Sequence, residues 1–267
     1  MERHSGRSKE VEPVKLEWQH LLEEALTMPG GMSDTYSRFY NYSLLNQVLL
    51  FQQGVLEPVN TYQRWQDMGR QVQKGSKAKG ILRPMLRKET DDQGVEEQKV
   101  RGFKMINCLF TVSDTEGDPL PEYEPKLWSP ERAMATLAIR EVAFDSLNGN
   151  TQGFSRGQEL AINPVAKYPM KTLAHELGHI VIGHTSEGQH DDYLQHRGLK
   201  EFQAEGTAYL VMNEIEAHDQ FDAAESRAYV QHWLRGEQPD DQSIRQVFTA
   251  TDKIIKAGRQ PEEVTNE

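Results

Sequence analysis

Apolar residues recur at helical spacing over the first part of the chain. Residues 14–28 place leucines and alanine one helical turn apart and stop at a Pro-Gly-Gly run, which predicts a helix. A second apolar series predicts a helix over residues 37–53, ended by Gly54. A short helix follows over residues 61–69, with Thr61 as its N-cap.

The pattern then changes to that of β-strands. Branched and aromatic residues predict strands over residues 81–86 and 103–112. The acidic residues 89–99 between them are typical of a turn-like insertion. We therefore expect the two strands to pair antiparallel as a hairpin.

Four prolines mixed with acidic residues mark residues 119–130 as a linker. Ser129 and Pro130 suit the start of a helix over residues 131–143. Residues 150–163 predict a turn followed by a strand. We hypothesise that this strand lies at the edge of a cleft and binds the backbone of a peptide substrate by strand addition. Helical periodicity then covers residues 171–184, 199–214, 225–234 and 241–257.

These elements predict an α+β protein with two domains. A first α+β domain is followed by a mainly helical domain with a small β-sheet. The expected divisions are a disordered N-terminus at residues 1–13, the first domain at 14–118, the linker at 119–130, the second domain at 131–258 and a disordered tail at 259–267.

Charge is distributed unevenly along the chain. The formal net charge is −11, yet residues 36–112 hold 12 Lys or Arg against 7 Asp or Glu, whereas residues 113–267 hold 14 against 27. A basic segment joined to an acidic one suggests two modules with different partners.

Composition narrows the class of protein. Hydrophobic residues make up 37% of the chain, enough for globular cores, and no stretch approaches the ~20 apolar residues of a membrane span. No signal peptide is visible, and the single cysteine, Cys108, excludes an internal disulfide and a cysteine-based metal cluster. We expect a cytoplasmic protein without a membrane partner.

The basic segment has a composition suited to a nucleic-acid backbone. Lysines alternate with glycine and small residues over residues 74–80, so ammonium and backbone N–H groups can converge on phosphate oxygens. The alternative is a solvated basic hairpin loop with its aromatic neighbours in the core. In the nucleic-acid interpretation, faces for unstacked bases are offered by Tyr42, Tyr62, Trp65 and Phe103.

The segment KTLAHELGHIVIGH, residues 171–184, contains the pattern His-Glu-x-x-His. On a helix His175 and His179 lie on the same face, where both imidazoles can bind one metal ion. Glu176 is turned about 100° round the helix, so it can act as general base beside a zinc ion that acts as Lewis acid. The alternative is an amphipathic helix with two histidines satisfied in the core.

A catalytic zinc site needs a third protein ligand and one open position. The metzincin pattern does not fit, because Gly183 and His184 are each out of register by one residue. His184 is instead expected at the helix end, where a positive imidazole is favourable. The predicted helix 199–214 offers Glu201 and Glu205, one turn apart on one face.

Three separated blocks, from about Tyr36 to Pro121, resemble the N-terminal domain of ArdC-type antirestriction proteins. They are NYSLLNQVLLF, TYQRWQDMGRQVQKGSKAKGIL and GFKMINCLFTVSDTEGDPLPE. That family is described as single-stranded-DNA-binding, so the resemblance implies ssDNA as a partner. The residues it implies in DNA contact are Tyr42, Ser43, Asn46, Trp65, Lys74, Gly75, Lys77 and Arg83.

The segment KTLAHELGHIVIGH, followed by EFQAEGTAYLV and SRAYVQHWL, resembles the zincin-like domain that accompanies the ArdC-type N-terminal domain. It is also similar to the wider repressor-cleaving metallopeptidases. Glu201-x-x-Ala204-Glu205 resembles the gluzincin signature, in which the first Glu binds zinc. This resemblance makes Glu201 the third metal ligand and places Glu205 behind a ligand histidine. The exchange, with Glu205 on the metal, stays open from spacing alone.

The prediction is an ssDNA-binding, antirestriction-type protein with a gluzincin-like metallopeptidase domain. His175, His179 and Glu201 are the predicted ligands of Zn²⁺, with Mn²⁺ as the alternative ion, and Glu176 is the predicted catalytic base for a protein substrate. Tyr209 or a histidine within residues 184–196 is the candidate to stabilise the oxyanion. Two alternatives stay open: a DNA-shielding protein with a structural metal site, and a repressor-cleaving metalloprotease.

Overall fold

The computed structural model describes residues 14–30, 32–40, 42–90, 96–124, 127–145, 150–186, 196–236 and 238–259. The predicted disordered N-terminus, Pro125 of the linker and residues 260–267 of the predicted tail lie outside these ranges. The chain divides into two compact units. The β unit is Met1–Leu16 with Val59–Asp118, and the helical unit is Glu17–Pro58 with Pro119–Glu267.

Most strands of the described chain lie in the β unit and most helices lie in the helical unit, as expected of an α+β protein. The helices are α1 (Trp18–Ala25), α2 (Met32–Ser37), α3 (Leu44–Gln52), α4 (Tyr62–Asp67), α5 (Pro130–Thr136), α6 (Pro169–Ile182), α7 (Arg197–Glu214), α8 (Ala223–Gly236) and α9 (Asp241–Gly258). The strands are β1 (Val59–Thr61), β2 (Arg70–Val72), β3 (Lys79–Thr90), β4 (Glu96–Thr111), β5 (Thr115–Gly117), β6 (Arg140–Glu141), β7 (Gly153–Arg156) and β8 (Glu159–Ile162). The predicted α+β class is confirmed.

A long antiparallel hairpin forms the centre of the β unit. Strands β3 and β4 pair over most of their length, and β1 adds antiparallel to the other side of β4. A second, short antiparallel ladder joins β2 and β5. Both hairpin strands are longer than the sequence predicts, because the pairing continues into the acidic segment as far as Thr90 opposite Glu96.

Helices α6 and α7 pack against each other in the helical unit, with α9 against both. A three-stranded sheet in the order β6-β8-β7 lies beside them, and β7 contacts α6. Among the described strands, β7 pairs antiparallel with β8 alone and is therefore an edge of this sheet. The core of the unit is built from residues such as Leu177, Phe202 and Leu210, which are almost fully buried.

Residues 17–58 group with the helical unit rather than with the hairpin. The predicted first domain, residues 14–118, therefore contains parts of both compact units, and its outer boundaries stay a prediction. The predicted helix over residues 37–53 is wrong at its start, because α3 begins at Leu44. The Ser43 hydroxyl accepts a hydrogen bond from the Asn46 N–H and caps the helix there.

The predicted helix over residues 131–143 is also too long. Helix α5 ends at Thr136, where the Ile139 N–H donates to the Met134 carbonyl and Ala138 adopts a φ of 54°. The chain then enters β6, which pairs parallel with β8. In the part of the chain that the structure describes, no helix is long and apolar enough to cross a membrane.

Candidate metal centre and basic turn

Helix α6 carries the His-Glu-x-x-His pattern and is fixed at both ends by its sequence. Pro169 occupies its first turn and Gly183 ends it with a φ of 96°, a conformation that suits glycine. Gly178 lets α7 come close: an added Cβ would lie 3.3 Å from the Cα of Ala204 and 3.3 Å from the Cβ of Thr207. This close approach brings the acidic face of α7 beside the two histidines.

Three predicted ligands converge between α6 and α7. The Nε2 atoms of His175 and His179 are 3.1 Å apart. Glu201 brings one carboxylate oxygen to 3.3 Å from Nε2 of His175 and the other to 3.8 Å from Nε2 of His179. Ligand atoms of these three residues all lie within 4.8 Å of one another, so together they could hold a metal ion.

The spacing of these atoms fits a first-row divalent ion. Two ligand atoms about 2.1 Å from one ion lie about 3.4 Å apart at a tetrahedral angle. The separations of 3.1, 3.3 and 3.8 Å bracket that value. Two imidazoles and one carboxylate form a donor set that suits zinc and manganese alike.

Glu205 occupies a different position from Glu201. Its Oε2 lies 3.2 Å from Nδ1 of His175, on the side of that ring away from Nε2, and 2.7 Å from Nζ of Lys171. The geometry therefore favours Glu201 beside the ion and Glu205 behind His175. Lys171 itself was not singled out from the sequence.

Ionisation of the metal-free site follows from these contacts. Burial lowers the pKa of His175, but the hydrogen bonds to Glu201 and Glu205 outweigh it and raise that pKa to about 9. Burial and the charge of His175 lower the pKa of His179 to about 3. Despite burial, the hydrogen bond from His175 and the charge of Lys171 lower the pKa of Glu205 to about 2.

Glu176 lines a cleft of about 1230 Å³ together with His175, His179 and Glu201. Burial raises the pKa of Glu176, which brings the carboxylate closer to the range of a general base at neutral pH. The hydroxyl of Ser155, on the edge strand β7, donates to Oε2 of Glu176 at 2.7 Å. Ser155 was missed from the sequence, because only the tertiary fold brings it to α6.

His184 is neither a metal ligand nor a positive helix-end group. It is 8% exposed, and its Nδ1 lies 2.9 Å from Nδ1 of His179 while its Nε2 lies 3.0 Å from Oε1 of Gln203. Burial lowers the pKa of His184 to about 4, so the ring is neutral at physiological pH. The expectation of a cationic imidazole is therefore wrong. The C-terminal Gly183 was the available signal, since a glycine there turns the next residue back over the last helical turn.

Two of the candidates for an oxyanion donor, Tyr209 and His184, do not fit. Tyr209 is buried, and its hydroxyl donates to the Leu26 carbonyl at 2.8 Å. Both ring nitrogens of His184 are occupied, and His190 lies outside the described residues.

Tyr229, on α8, was missed by the sequence analysis. It is 40% exposed and lines a smaller cavity of about 290 Å³ with His175 and Glu201.

The basic turn, residues 73–78, connects β2 to β3 in the β unit. The Gln73 N–H donates to the Asp114 carbonyl, the Ser76 N–H donates to the Gln73 carbonyl, and Gly75 has a φ of 99°. The turn is thus fixed by its own hydrogen bonds, and these two N–H groups are not available to phosphate. Lys74 and Lys77 project from it as exposed side chains.

The other predicted DNA-contact residues divide between the two units. Arg83 is exposed on β3 in the β unit, whereas Tyr42, Ser43 and Asn46 belong to the helical unit. Tyr42 is buried against Tyr40, with ring centroids 4.9 Å apart, and Ser43 caps α3. These local roles leave no exposed tyrosine face at residue 42 for a base.

Trp65 is a core residue of the β unit. It is 0% exposed, and its Nε1–H donates to the Phe110 carbonyl at 2.9 Å. The expectation that Trp65 contacts DNA does not fit this burial, because no face of the indole is open. Tyr62, three residues earlier, keeps an exposed ring and is the better aromatic candidate in the β unit.

The chain is similar to one known protein family and to solved structures of an antirestriction protein. Residues 8–112 match the family described as the N-terminal domain of anti-restriction factor ArdC. The fold resembles the crystal structure of the antirestriction ArdC protein from the R388 plasmid in its metal-free form, with a TM-score of 0.52, 20% sequence identity and 91% of this chain covering 95% of that one.

The Mn(II)-bound structure of the same R388 protein gives a TM-score of 0.50 at 18% identity, with 91% of this chain covering 98% of that one. Comparison with curated protein sequences gives no significant match.

Proposed function

We propose that this chain is an antirestriction protein of the ArdC type, because residues 8–112 match the ArdC N-terminal domain family and the chain shares the fold of ArdC. The protein binds single-stranded DNA and hydrolyses a peptide bond at a divalent ion held by His175, His179 and Glu201. The observation that carries the catalytic half is the convergence of these side chains, with Glu176, in one open cleft.

The open cleft favours a catalytic ion over a structural one. Structural zinc sites are closed by four protein ligands, whereas catalytic sites keep three and leave a position for water or substrate. Among the described residues, the candidate group has three members and opens to the cleft. Mn(II) and Zn(II) are the two ions to test, since the related R388 structure is described as Mn(II)-bound.

The residues around the cleft have distinct roles in this proposal. When bound, the ion supplies a Lewis acid and lowers the pKa of a coordinated water towards ~7. Glu176 accepts the proton of the attacking water, and the Ser155 hydroxyl holds the carboxylate in place by its 2.7 Å hydrogen bond. Strand β7 lines the cleft and offers its outer edge to an extended peptide.

Tyr229 is the proposed oxyanion donor. It shares a cavity with His175 and Glu201, and burial raises the pKa of its hydroxyl, so the hydroxyl keeps its proton at neutral pH. A phenolic O–H that stays protonated can donate a hydrogen bond to the developing negative charge.

The proposal of DNA binding is based on what the resemblance to ArdC-type proteins implies and on exposed charge. Lys74, Lys77 and Arg83 are exposed in the β unit, where cations can neutralise phosphates. The second candidate function, a repressor-cleaving protease that docks its substrate on the basic turn, uses the same cleft but predicts no affinity for ssDNA.

The decisive experiment compares Glu176→Gln with His175→Ala. The first variant should bind Mn(II) like wild type and lose cleavage of a quenched-fluorophore peptide library by about 10²–10⁴-fold, because only the base is removed. The second should lose both the metal and the cleavage. Free Mn(II) is measured by its electron paramagnetic resonance signal.

Both variants should keep wild-type affinity for an ssDNA oligonucleotide. Cleavage by Glu176→Gln at the wild-type rate would contradict the role of Glu176. A wild-type protein that binds Mn(II) and protects DNA but cleaves no peptide would favour the DNA shield with a structural metal site.

A further inference from the structure

The two ligand histidines are supported by different chemical groups on their outer sides. Nδ1 of His175 faces the carboxylate of Glu205, at 3.2 Å. Nδ1 of His179 faces another imidazole, that of His184, at 2.9 Å. Metal-bound histidines usually donate this outer N–H to a carboxylate, a carbonyl or water, so an imidazole in that place needs an explanation.

A chain of hydrogen bonds continues from His184 into the core. Nε2 of His184 lies 3.0 Å from Oε1 of Gln203, on α7. Nε2 of Gln203 donates to Oε1 of Gln246 at 2.7 Å and to the backbone carbonyl of Ser243 at 3.3 Å, both on α9. His179, His184 and Gln203 are all buried.

The series of hydrogen bonds ends at the backbone carbonyl of Ser243, and this carbonyl determines which atom donates in each bond. The carbonyl of Ser243 can only accept, so the amide nitrogen of Gln203 faces α9 and its oxygen faces His184. That oxygen requires a proton on Nε2 of His184, which in a neutral imidazole leaves Nδ1 of His184 as an acceptor. Nδ1 of His179 must then carry the donated proton, and Nε2 of His179 keeps its lone pair.

We infer that His184 and Gln203 are positioning residues that fix the tautomer and the ring plane of His179, with Nε2 facing the metal position. The inference rests on the metal centre of the proposed function and extends it to a neutral relay running from α9 to the ligand. His184 is not a fourth ligand, because both of its nitrogens already have partners.

With this relay, the groups behind the two ligand histidines differ in charge. Glu205 places a negative charge behind His175, and Lys171 balances it at 2.7 Å. His184 and Gln203 place only neutral groups behind His179. Removing the relay should therefore weaken metal binding by disordering one ligand, without changing the charge of the site.

The test measures Mn(II) affinity in four variants of the full chain. His184→Phe fills the same space without hydrogen bonds and should weaken Mn(II) binding 10–100-fold, the usual effect of losing such an outer partner. Gln203→Leu should weaken it about tenfold, at the lower end of that range. His184→Gln, in contrast to His184→Phe, should bind Mn(II) within about threefold of wild type, because its amide can both accept from His179 and donate to Gln203. His20→Phe, an exposed histidine on α1, is the control and should bind like wild type.

A second readout reports the tautomers directly. Side-chain ¹⁵N chemical shifts of the metal-free wild-type protein should show His179 protonated at Nδ1 and His184 protonated at Nε2. In Gln203→Leu the His184 ring should populate both tautomers. A protein in which these residues only fill space would not show this change.

The outcomes separate the relay from the metal centre. Wild-type protein that binds no Mn(II) overturns the proposed metal centre, and the tautomers of the metal-free protein then decide the relay by themselves. Wild-type binding with unchanged affinity in a folded His184→Phe variant overturns the relay alone. A wild-type His179 protonated at Nε2 overturns it as well.

Discussion

The proposed metal centre and the basic turn hold their candidate functional side chains in opposite ways. At the metal centre, both ligand imidazoles have their outer nitrogens occupied by neighbouring side chains, and both lie on one helix. At the basic turn, the backbone is fixed by its bonds to Asp114 and within the turn, while Lys74 and Lys77 project into solvent.

This difference matches what each partner requires. A metal ion needs ligand atoms placed within a fraction of an ångström, so its ligands are locked by surrounding hydrogen bonds. Phosphates are attracted over several ångströms, so mobile charged side chains on a fixed turn are sufficient. A change at the metal centre should therefore act through geometry, and a change at the turn through charge.

The largest expected effect is a loss of stability that is confined to the β unit. Trp65→Ala should destabilise the β unit by about 3–5 kcal/mol, because it removes a fully buried indole and leaves a cavity. Hydrogen exchange should speed up in β3 and β4, while α6 and α7 keep their protection and the protein keeps its Mn(II) affinity.

Trp65→Phe keeps most of the volume, so it should stay folded and bind ssDNA like wild type. Tyr62→Ala, at an exposed ring of the same unit, should change stability by less than about 0.5 kcal/mol. A folded Trp65→Phe protein that loses ssDNA affinity would restore the indole as a DNA contact.

The next effect concerns charge at the basic turn. The double variant Lys74→Ala/Lys77→Ala should bind an ssDNA oligonucleotide about tenfold more weakly, and its salt dependence should be shallower by about 1.4 in slope, 0.7 for each lost phosphate contact. Fluorescence anisotropy at several salt concentrations measures both values.

The matched control is Lys253→Ala/Lys256→Ala, which removes two exposed lysines from α9 and should leave the slope unchanged. Equal ssDNA binding by the Lys74/Lys77 variant and wild type would argue against the turn as a phosphate site, and would favour the repressor-cleaving alternative.

The smallest expected effect concerns a hydrogen bond within the helical unit, which also contains the proposed metal centre. The Leu44 N–H, at the start of α3, donates to Oδ1 of Asp252 on α9 at 2.8 Å. Asp252→Ala should cost about 1 kcal/mol, since it removes a partner of the helix N-terminus. Urea denaturation measures this cost.

Asp252→Asn keeps an acceptor for that N–H and gives a pH test. Burial raises the pKa of Asp252 above its ordinary 3.8. The folded state then holds this proton more tightly than the unfolded chain, so the contribution of Asp252 to stability falls as pH rises above 3.8. The Asn variant should be slightly more stable than wild type at pH 7, and the gap should close as pH falls towards 3.8. A gap that widens on acidification would contradict the raised pKa.

Sequence reasoning works best where local periodicity sets geometry. The helical repeat places His175 and His179 on one face, and Glu201 lies on the helix that packs against it. The same reasoning could not place Ser155 or Lys171, because their contacts with α6 and α7 depend on how distant segments pack.

The predicted DNA-contact residues show where a sequence pattern is not sufficient. Aromatic residues near lysines suit both a base-stacking surface and a core, and only burial separates the two. Trp65 and Tyr42 are core residues, whereas Tyr62 stays exposed. Residue type alone does not distinguish these two environments. The family resemblance is confirmed for residues 8–112, whereas the DNA contacts of individual side chains stay a prediction.

Gly178 has no functional group, yet it bears on the distance between imidazole and carboxylate. A methyl group there would meet Ala204 and Thr207 at 3.3 Å, so the two helices would have to separate by a few tenths of an ångström. The separation between the imidazoles of α6 and the carboxylate of Glu201 thus depends on the lack of a side chain where α6 contacts α7. A designer who wishes to retune this protein for a larger or smaller ion would begin at that glycine and leave the coordinating residues untouched.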